Sequence, residues 1–192
     1  MRYATRPVLW VCLLLSMTAQ AADVDALKAG VFNPPREAPD FFVRGSDGAA
    51  LTLSQYRGKV VVLGFGYTHC PNVCPATLAV LAMAHRKLGT LGSQVQVIYL
   101  TVDPERDSAE RLKQYLTAFD PSFVGGTGSA AQMAAVRLSY GVTAQKVGTG
   151  GDYGIAHSSF VYLITREGKL RALMPFGHKA DDYAHDISML LN

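Results

Sequence analysis

The sequence predicts an α/β domain built on a central sheet with a parallel core. Three observations predict it. The run 60–65, Val-Val-Val-Leu-Gly-Phe, is continuous and β-branched, as a strand buried on both faces is. Segments of helical period at 76–88, 108–119, 130–140 and 180–190 alternate with strand-like runs. Turn signals at 45–48 and 166–168 mark two hairpins. Strand-helix alternation calls for right-handed crossovers and parallel pairing.

The elements follow in order. Residues 1–22 read as a signal peptide: Arg2 and Arg6 form a basic start, 8–15 is apolar, and Ala19-Gln20-Ala21 has the small-x-small form of a cleavage site. The apolar run is short for a hydrocarbon core of about 30 Å; the other reading is an uncleaved anchor. Cys12 has no lipobox around it. Residues 23–39, with Asn33-Pro34-Pro35 and Pro39, read as a linker. The domain proper is 40–192. It starts with a hairpin, 41–44 and 50–53 around Gly45-Ser46-Asp47-Gly48. The strand 60–65 follows, then a helix at 76–88 with Leu78, Leu81 and Leu88 on one face. A second central strand spans 94–102, and a helix spans 108–119 with Asp107 and Glu110 as a capping pair. A short strand at 123–124 and a helix at 130–140 precede a Gly-rich loop, 143–156. Strand 157–164, its hairpin partner 170–175 and a last helix at 180–190 complete the chain. This is the order of the thioredoxin-like fold, with an added N-terminal β-hairpin and an inserted helix. In such sheets the reactive loops lie beyond the carboxyl ends of the strands, where 66–74, 103–107 and the loop into His157 should meet.

Composition narrows the function. Of 192 residues, 49% are hydrophobic and 17% charged, which suits a packed core and excludes a disordered chain. Without Arg2 and Arg6, sixteen basic residues face fifteen acidic ones, with no basic run or stripe, so no nucleic-acid footprint remains. Removing 1–22 also removes Cys12 and leaves two cysteines, Cys70 and Cys74. One close pair in an exported chain reads as a disulfide, a redox pair or a metal site.

That pair sits in Gly66-Tyr67-Thr68-His69-Cys70-Pro71-Asn72-Val73-Cys74-Pro75, between a buried strand and a helix. Pro75 suits the first helical position, which makes Cys74 the expected N-cap. A thiolate there should have a lowered pKa. So short a loop closes little chain entropy, which argues against an inert stabilising disulfide. The pair should be redox-active, metal-binding or both. His157, at the mouth of a strand after the Gly-rich loop, is the natural third ligand. Two thiolates and an imidazole suit copper, Cu(I) or Cu(II), at one ion per chain; structural zinc normally takes four protein ligands.

The motifs Thr68-His69-Cys70-Pro71-Asn72-Val73-Cys74-Pro75, Val102-Asp103-Pro104-Glu105-Arg106-Asp107 and Asp152-Tyr153 with His157-Ser158 resemble the Sco/SenC family from about residue 39 to the end. The resemblance implies a copper-binding thioredoxin-like protein, which the export signal at 1–22 would place in the periplasm. Such a protein assists assembly of the dinuclear copper site of cytochrome c oxidase and also shows thiol-disulfide chemistry. It maps the copper ligands onto Cys70, Cys74 and His157, and puts Asp103 near the metal, where it could position a ligand, bind a partner or move a proton. A turn acid before Pro104 is the plainer role for Asp103. The implied partners are the copper-site subunit of the oxidase and a periplasmic copper donor or thiol reductant. The membrane would be reached only through the oxidase or an uncleaved N-terminus. Two departures stand out: Asn72 replaces a frequent Asp, and many members are anchored whereas this N-terminus looks cleavable.

Two other functions compete. One is a periplasmic thiol-disulfide oxidoreductase acting on a partner's copper-ligand cysteines; the other is a metal-free structural or signalling module. Thioredoxin-type enzymes carry a cis-proline opposite the cysteines, yet no proline lies between Pro121 and Pro175, which favours copper. Arg106 and Asp107 read as turn and cap residues, His69 as a solvated loop residue, and Tyr67 as packing. His85, His178 and His185 read as helix-surface or turn residues, and Met83, Met133 and Met174 as core filler.

Overall fold

The computed structural model describes residues 27–150 and 152–192; the expected signal peptide lies outside them. Ten strands and four helices form among the described residues. Eight strands make one sheet in the order β1-β10-β9-β4-β5-β6-β2-β3. The centre is β4 (Val60–Gly66) paired parallel with β5 (Val95–Thr101), which pairs parallel with β6 (Val124–Thr127). Every residue of β4 and β5 is buried. That is why their sequences run apolar without alternation. The one amide among them, Gln96, is satisfied by the Ser122 and Val97 carbonyls at 2.8 and 3.0 Å.

The antiparallel hairpin of β9 (Phe160–Ile164) and β10 (Lys169–Pro175) joins β4 from the other side. Its turn closes at Gly168, whose φ of +79° only glycine takes at low cost. The early hairpin, β2 (Phe42–Gly45) and β3 (Ala50–Thr52), extends the opposite edge through β6. Asp40 pins its two ends together. One carboxylate oxygen accepts from the amides of Phe41, Leu53 and Ser54 at 2.8, 2.9 and 3.2 Å.

Helix α1 (Val73–Lys87) crosses from β4 to β5 and packs on the C-terminal helix α4 (Ala180–Leu191). Helix α2 (Ala109–Thr117) lies against β6, and α3 (Ala130–Ser139) follows it. Ser108 caps α2 by accepting from Arg111 N at 3.1 Å, so the cap is not the expected Asp107. Ser129 and Gln132 form a capping box on α3.

Two expectations are corrected. Residues 30–37, read as linker, form strand β1 (Gly30–Glu37), an edge strand antiparallel to β10. The prolines misled because they cannot donate to a ladder, yet an edge strand tolerates them. The register is interrupted between Val31 and Arg36, across Pro34 and Pro35. The approach to β1 is also tied down: Lys28 N and Ala29 N donate to the two carboxylate oxygens of buried Asp186 on α4, at 2.8 and 2.9 Å. The Gly-rich stretch 143–156, read as a loop, is a second small sheet. There β7 (Ala144–Val147) pairs antiparallel with β8 (Gly154–His157), and Ala144 faces His157. Among the described residues no helix is long and apolar enough to cross a membrane.

Candidate metal centre

The centre forms where β4 ends. Gly66 closes the strand, residues 67–72 turn, and α1 begins at Val73 behind Asn72, whose side chain makes no cap bond. Cys74 is therefore inside the first helical turn rather than at the N-cap. Pro75 still fits, since first-turn N–H groups have no partner within the helix. Cys70 takes over part of the capping: its Sγ accepts from Cys74 N at 3.4 Å. Both cysteines are free thiols, Cys70 half-buried and Cys74 buried.

Burial decides the chemistry of Cys74. It pushes the thiol up to about 12, and hydrogen bonds from the Tyr99 hydroxyl and the Tyr67 backbone only partly oppose it; the Cys70 thiol adds to the rise. The expected lowering by the helix terminus is thus overturned. A thiol in apolar surroundings loses more from desolvation than it gains from nearby N–H groups.

His157 ends β8 and faces Cys74. Its Nδ1 lies 2.8 Å from the Ser158 carbonyl. A carbonyl can only accept, so Nδ1 carries the proton and Nε2 keeps its lone pair. That nitrogen lies 3.6 Å from Cys74 Sγ. Burial lowers the pKa of His157, and the Ser158 carbonyl partly restores it, which favours the neutral, ligating imidazole. The ring stands edge-on to Tyr67, with centroids 6.0 Å apart.

The structure thus brings Cys74 and His157 into contact, and the Cys70 sulfur to the Cys74 amide. Among the described residues no three His, Cys, Asp or Glu side chains already form a closed metal cage. Two soft donors meet, and the third sits one turn away on a more exposed loop. That donor set fits a thiophilic ion of low coordination number.

Asp103 does not touch the sulfurs. It is 1% exposed and lies between three partners. Arg106 Nε donates to one carboxylate oxygen, the Tyr153 hydroxyl donates to the other at 2.8 Å, and Asp103 N donates to Thr101 Oγ1 at 2.9 Å. Arg106 also donates to the Tyr153 carbonyl at 3.0 Å, and its guanidinium lies 3.7 Å from the centre of the Tyr153 ring. Tyr153 immediately precedes β8. Asp103 and Arg106 therefore clamp the hairpin that presents His157, with help from Lys146–Glu105 at 2.6 Å and from Ile155 N, which donates to the Tyr67 hydroxyl at 3.1 Å. Tyr67 is more than packing.

Asp107 was missed by the sequence reading. It is fully buried and accepts from Thr68 N, Thr68 Oγ1 and Thr101 Oγ1 at 3.1, 2.6 and 2.7 Å. It ties the cysteine loop to the end of β5. Ser108 directly after it, an equally good N-cap residue, was the signal available. The remaining histidines have ordinary partners. His69 bonds Thr68 Oγ1 at 3.1 Å, and His178 and His185 pair with Asp182 and Asp186. His85 is not simply a surface residue: it bridges Asp120 and the Gly92 carbonyl at 3.0 and 3.1 Å. Met133 and Met174 fill the core, whereas Met83 is exposed.

The sequence matches the SCO1/SenC family over residues 32–192. It is 38% identical over 133 residues to the mitochondrial SCO2 homolog of Bos taurus, covering 67% of this chain and 50% of that protein. The chain spans about half the length of that curated relative. The fold superposes on copper-bound ScoI of Bradyrhizobium japonicum with a TM-score of 0.75 and 36% identity, over 81% of this chain and 99% of that one. It superposes on copper-bound yeast Sco1 with a TM-score of 0.72 and 30% identity, over 80% and 87%.

Proposed function

The chain belongs to the SCO1/SenC family, and from that premise we propose that it is a periplasmic copper metallochaperone with Cys70, Cys74 and His157 as ligands. Its task in this reading is to help assemble the dinuclear copper site of cytochrome c oxidase. The observation that carries the reading is the approach of His157 Nε2, lone pair forward, to Cys74 Sγ at 3.6 Å. The copper-bound relatives support it. Copper is cargo here, one ion per chain, and thiolate donors suit its cuprous state.

The chain's own residues divide the work. Cys74 and His157 supply two donors on rigid elements, and each is oriented by a bond of its own. Cys70, on the half-buried loop, supplies the third donor and is the one a partner's ligand would meet first. Binding requires the sulfurs to give up their protons, so the buried Cys74 thiol ionises only as the cation arrives. Asp103 and Arg106 act at one remove, by holding the hairpin of His157.

A second reading is a thiol-disulfide oxidoreductase for a partner's copper-ligand cysteines. Two free thiols four residues apart favour it. The two readings share the sulfurs and differ at His157, which adds a donor to a metal but no electrons to thiol exchange. The deciding experiment is oxidase activity in a deletion strain carrying His157→Ala at low copper. The chaperone reading expects failure that added copper relieves; full activity at low copper leaves thiol chemistry as the better account.

A further inference from the structure

Tyr99 stands in the middle of β5, across the parallel ladder from Gly64, and is 2% exposed. Its hydroxyl is wholly buried and meets no hydrogen-bond partner, sulfur included, in bonding geometry among the described residues. A buried hydroxyl left unpaired is costly, so its retention calls for a partner of another kind.

The group beside it is the Cys74 sulfur: burial first, and then the neighbouring Cys74, raise the pKa of the Tyr99 hydroxyl, which makes that sulfur the candidate acceptor. Gly66 makes the approach possible. A Cβ at position 66 would lie 1.7 Å from the Tyr99 hydroxyl oxygen and 2.8 Å from Cys74 Sγ. Hydroxyl and sulfur converge on a space that only glycine leaves empty. The direction of the bond follows from the neighbours. His157 Nδ1–H is committed to the Ser158 carbonyl, so Nε2 is an acceptor and takes the S–H when one is present. The sulfur lone pairs are then left to accept from Tyr67 N–H and Tyr99 O–H.

We propose that Tyr99 is a positioning residue of the centre: its hydroxyl donates a hydrogen bond to Cys74 Sγ, holds that sulfur toward His157, and stabilises its reduced, metal-binding form against the disulfide. The proposal rests on the reading of Cys70, Cys74 and His157 given above. Two effects act with the same sign. A thiol or thiolate sulfur accepts the bond better than a disulfide sulfur, and oxidation strands the buried hydroxyl.

The test is Tyr99→Phe in the purified protein, with Tyr115→Phe beside it. The Tyr115 hydroxyl is also buried without a hydrogen-bond partner among the described residues, but after burial it feels the cysteines through charge alone. The first readout is metal-free: equilibration of the Cys70–Cys74 pair with glutathione. In that exchange two glutathione thiols give two electrons and two protons to the protein disulfide and leave as one glutathione disulfide. Tyr99→Phe should lower the equilibrium constant for reduction roughly fivefold, as expected for one net hydrogen bond; Tyr115→Phe should leave it unchanged. The second readout is the sulfur-to-copper charge-transfer band after adding Cu(II) to the reduced protein. Losing a hydrogen bond raises the donor level of the sulfur, so the band should move to longer wavelength in Tyr99→Phe only. An unchanged equilibrium, an unchanged band, or equal shifts in Tyr115→Phe would overturn the proposal. A wild-type protein with no such band would instead overturn the copper reading, while the glutathione equilibrium still decides the role of Tyr99. If Tyr99→Phe does not fold, proton NMR of the wild type decides. The buried hydroxyl proton should exchange slowly and shift when the pair is oxidised; a position unmoved by oxidation would contradict the bond.

Discussion

Tyr153 donates its hydroxyl to Asp103 at 2.8 Å, across 50 residues of sequence, and so fixes the strand that ends in His157. In the copper reading proposed above, the centre depends on this contact although neither residue is a proposed ligand. Tyr153→Phe should leave the fold intact and loosen the β7–β8 hairpin by roughly 1.4 kcal/mol, the size of one hydrogen bond to a charged group. Amide exchange in β8 should then speed up about tenfold, and copper affinity should fall with it. Unaltered exchange in β8 would show that the clamp does not hold the hairpin.

Asp107→Ala should destabilise the whole domain. It removes the acceptor shared by three donors, Thr68 N, Thr68 Oγ1 and Thr101 Oγ1, at a fully buried position. The expected loss is about 3 kcal/mol or more in urea unfolding. A loss below about 1 kcal/mol would contradict its place as the tie between the cysteine loop and β5.

Asp40 predicts an acid limit. Burial tends to raise its pKa, but hydrogen bonds from Ser54, Phe41 and Leu53 outweigh that and bring it below the ordinary value of 3.8. Its folded pKa is depressed, so its contribution is complete above the unfolded value and is lost as pH falls through the folded one. The urea midpoints of wild type and Asp40→Ala should differ at pH 6 and converge below about pH 3.8. A difference that persists unchanged into strong acid would rule out the carboxylate as its source.

Oxidation predicts a loss of function. Cys70 and Cys74 should form a disulfide reversibly, and that form should lose tight copper binding, because the thiolate is the ligand. Thiol counting and copper titration after mild oxidation check this. Full copper retention with no free thiols would contradict the ligand assignment.

Much of this architecture could be read from residues alone, for identifiable reasons. β4 and β5 were legible because burial on both faces leaves an apolar run, and the approach of His157 to the cysteine loop because loops beyond the carboxyl ends of the strands converge. β1 was hidden by Pro34 and Pro35, which mimic a linker but are tolerated on an edge. The β7–β8 hairpin was hidden by glycines that read as loop. Its strands are held by Tyr153, Arg106 and Lys146 more than by apolar alternation. The one local mark of Asp107 was the competing cap residue Ser108 beside it, and Tyr99 left none. One looks like a cap and the other like strand packing, and only the tertiary fold shows what each hydroxyl or carboxylate reaches. The pKa of Cys74 was misjudged for a related reason: the helix terminus is visible in sequence, whereas the depth of burial is not.

The most direct test of the central claim is copper titration of the reduced protein, wild type against Cys70→Ala, Cys74→Ala and His157→Ala. Wild type should bind one copper per chain. Either cysteine variant should lose tight binding, and His157→Ala should bind at least about tenfold more weakly, a difference of about 1.4 kcal/mol. Unchanged stoichiometry and affinity in Cys74→Ala, the sulfur that His157 faces, would contradict the account.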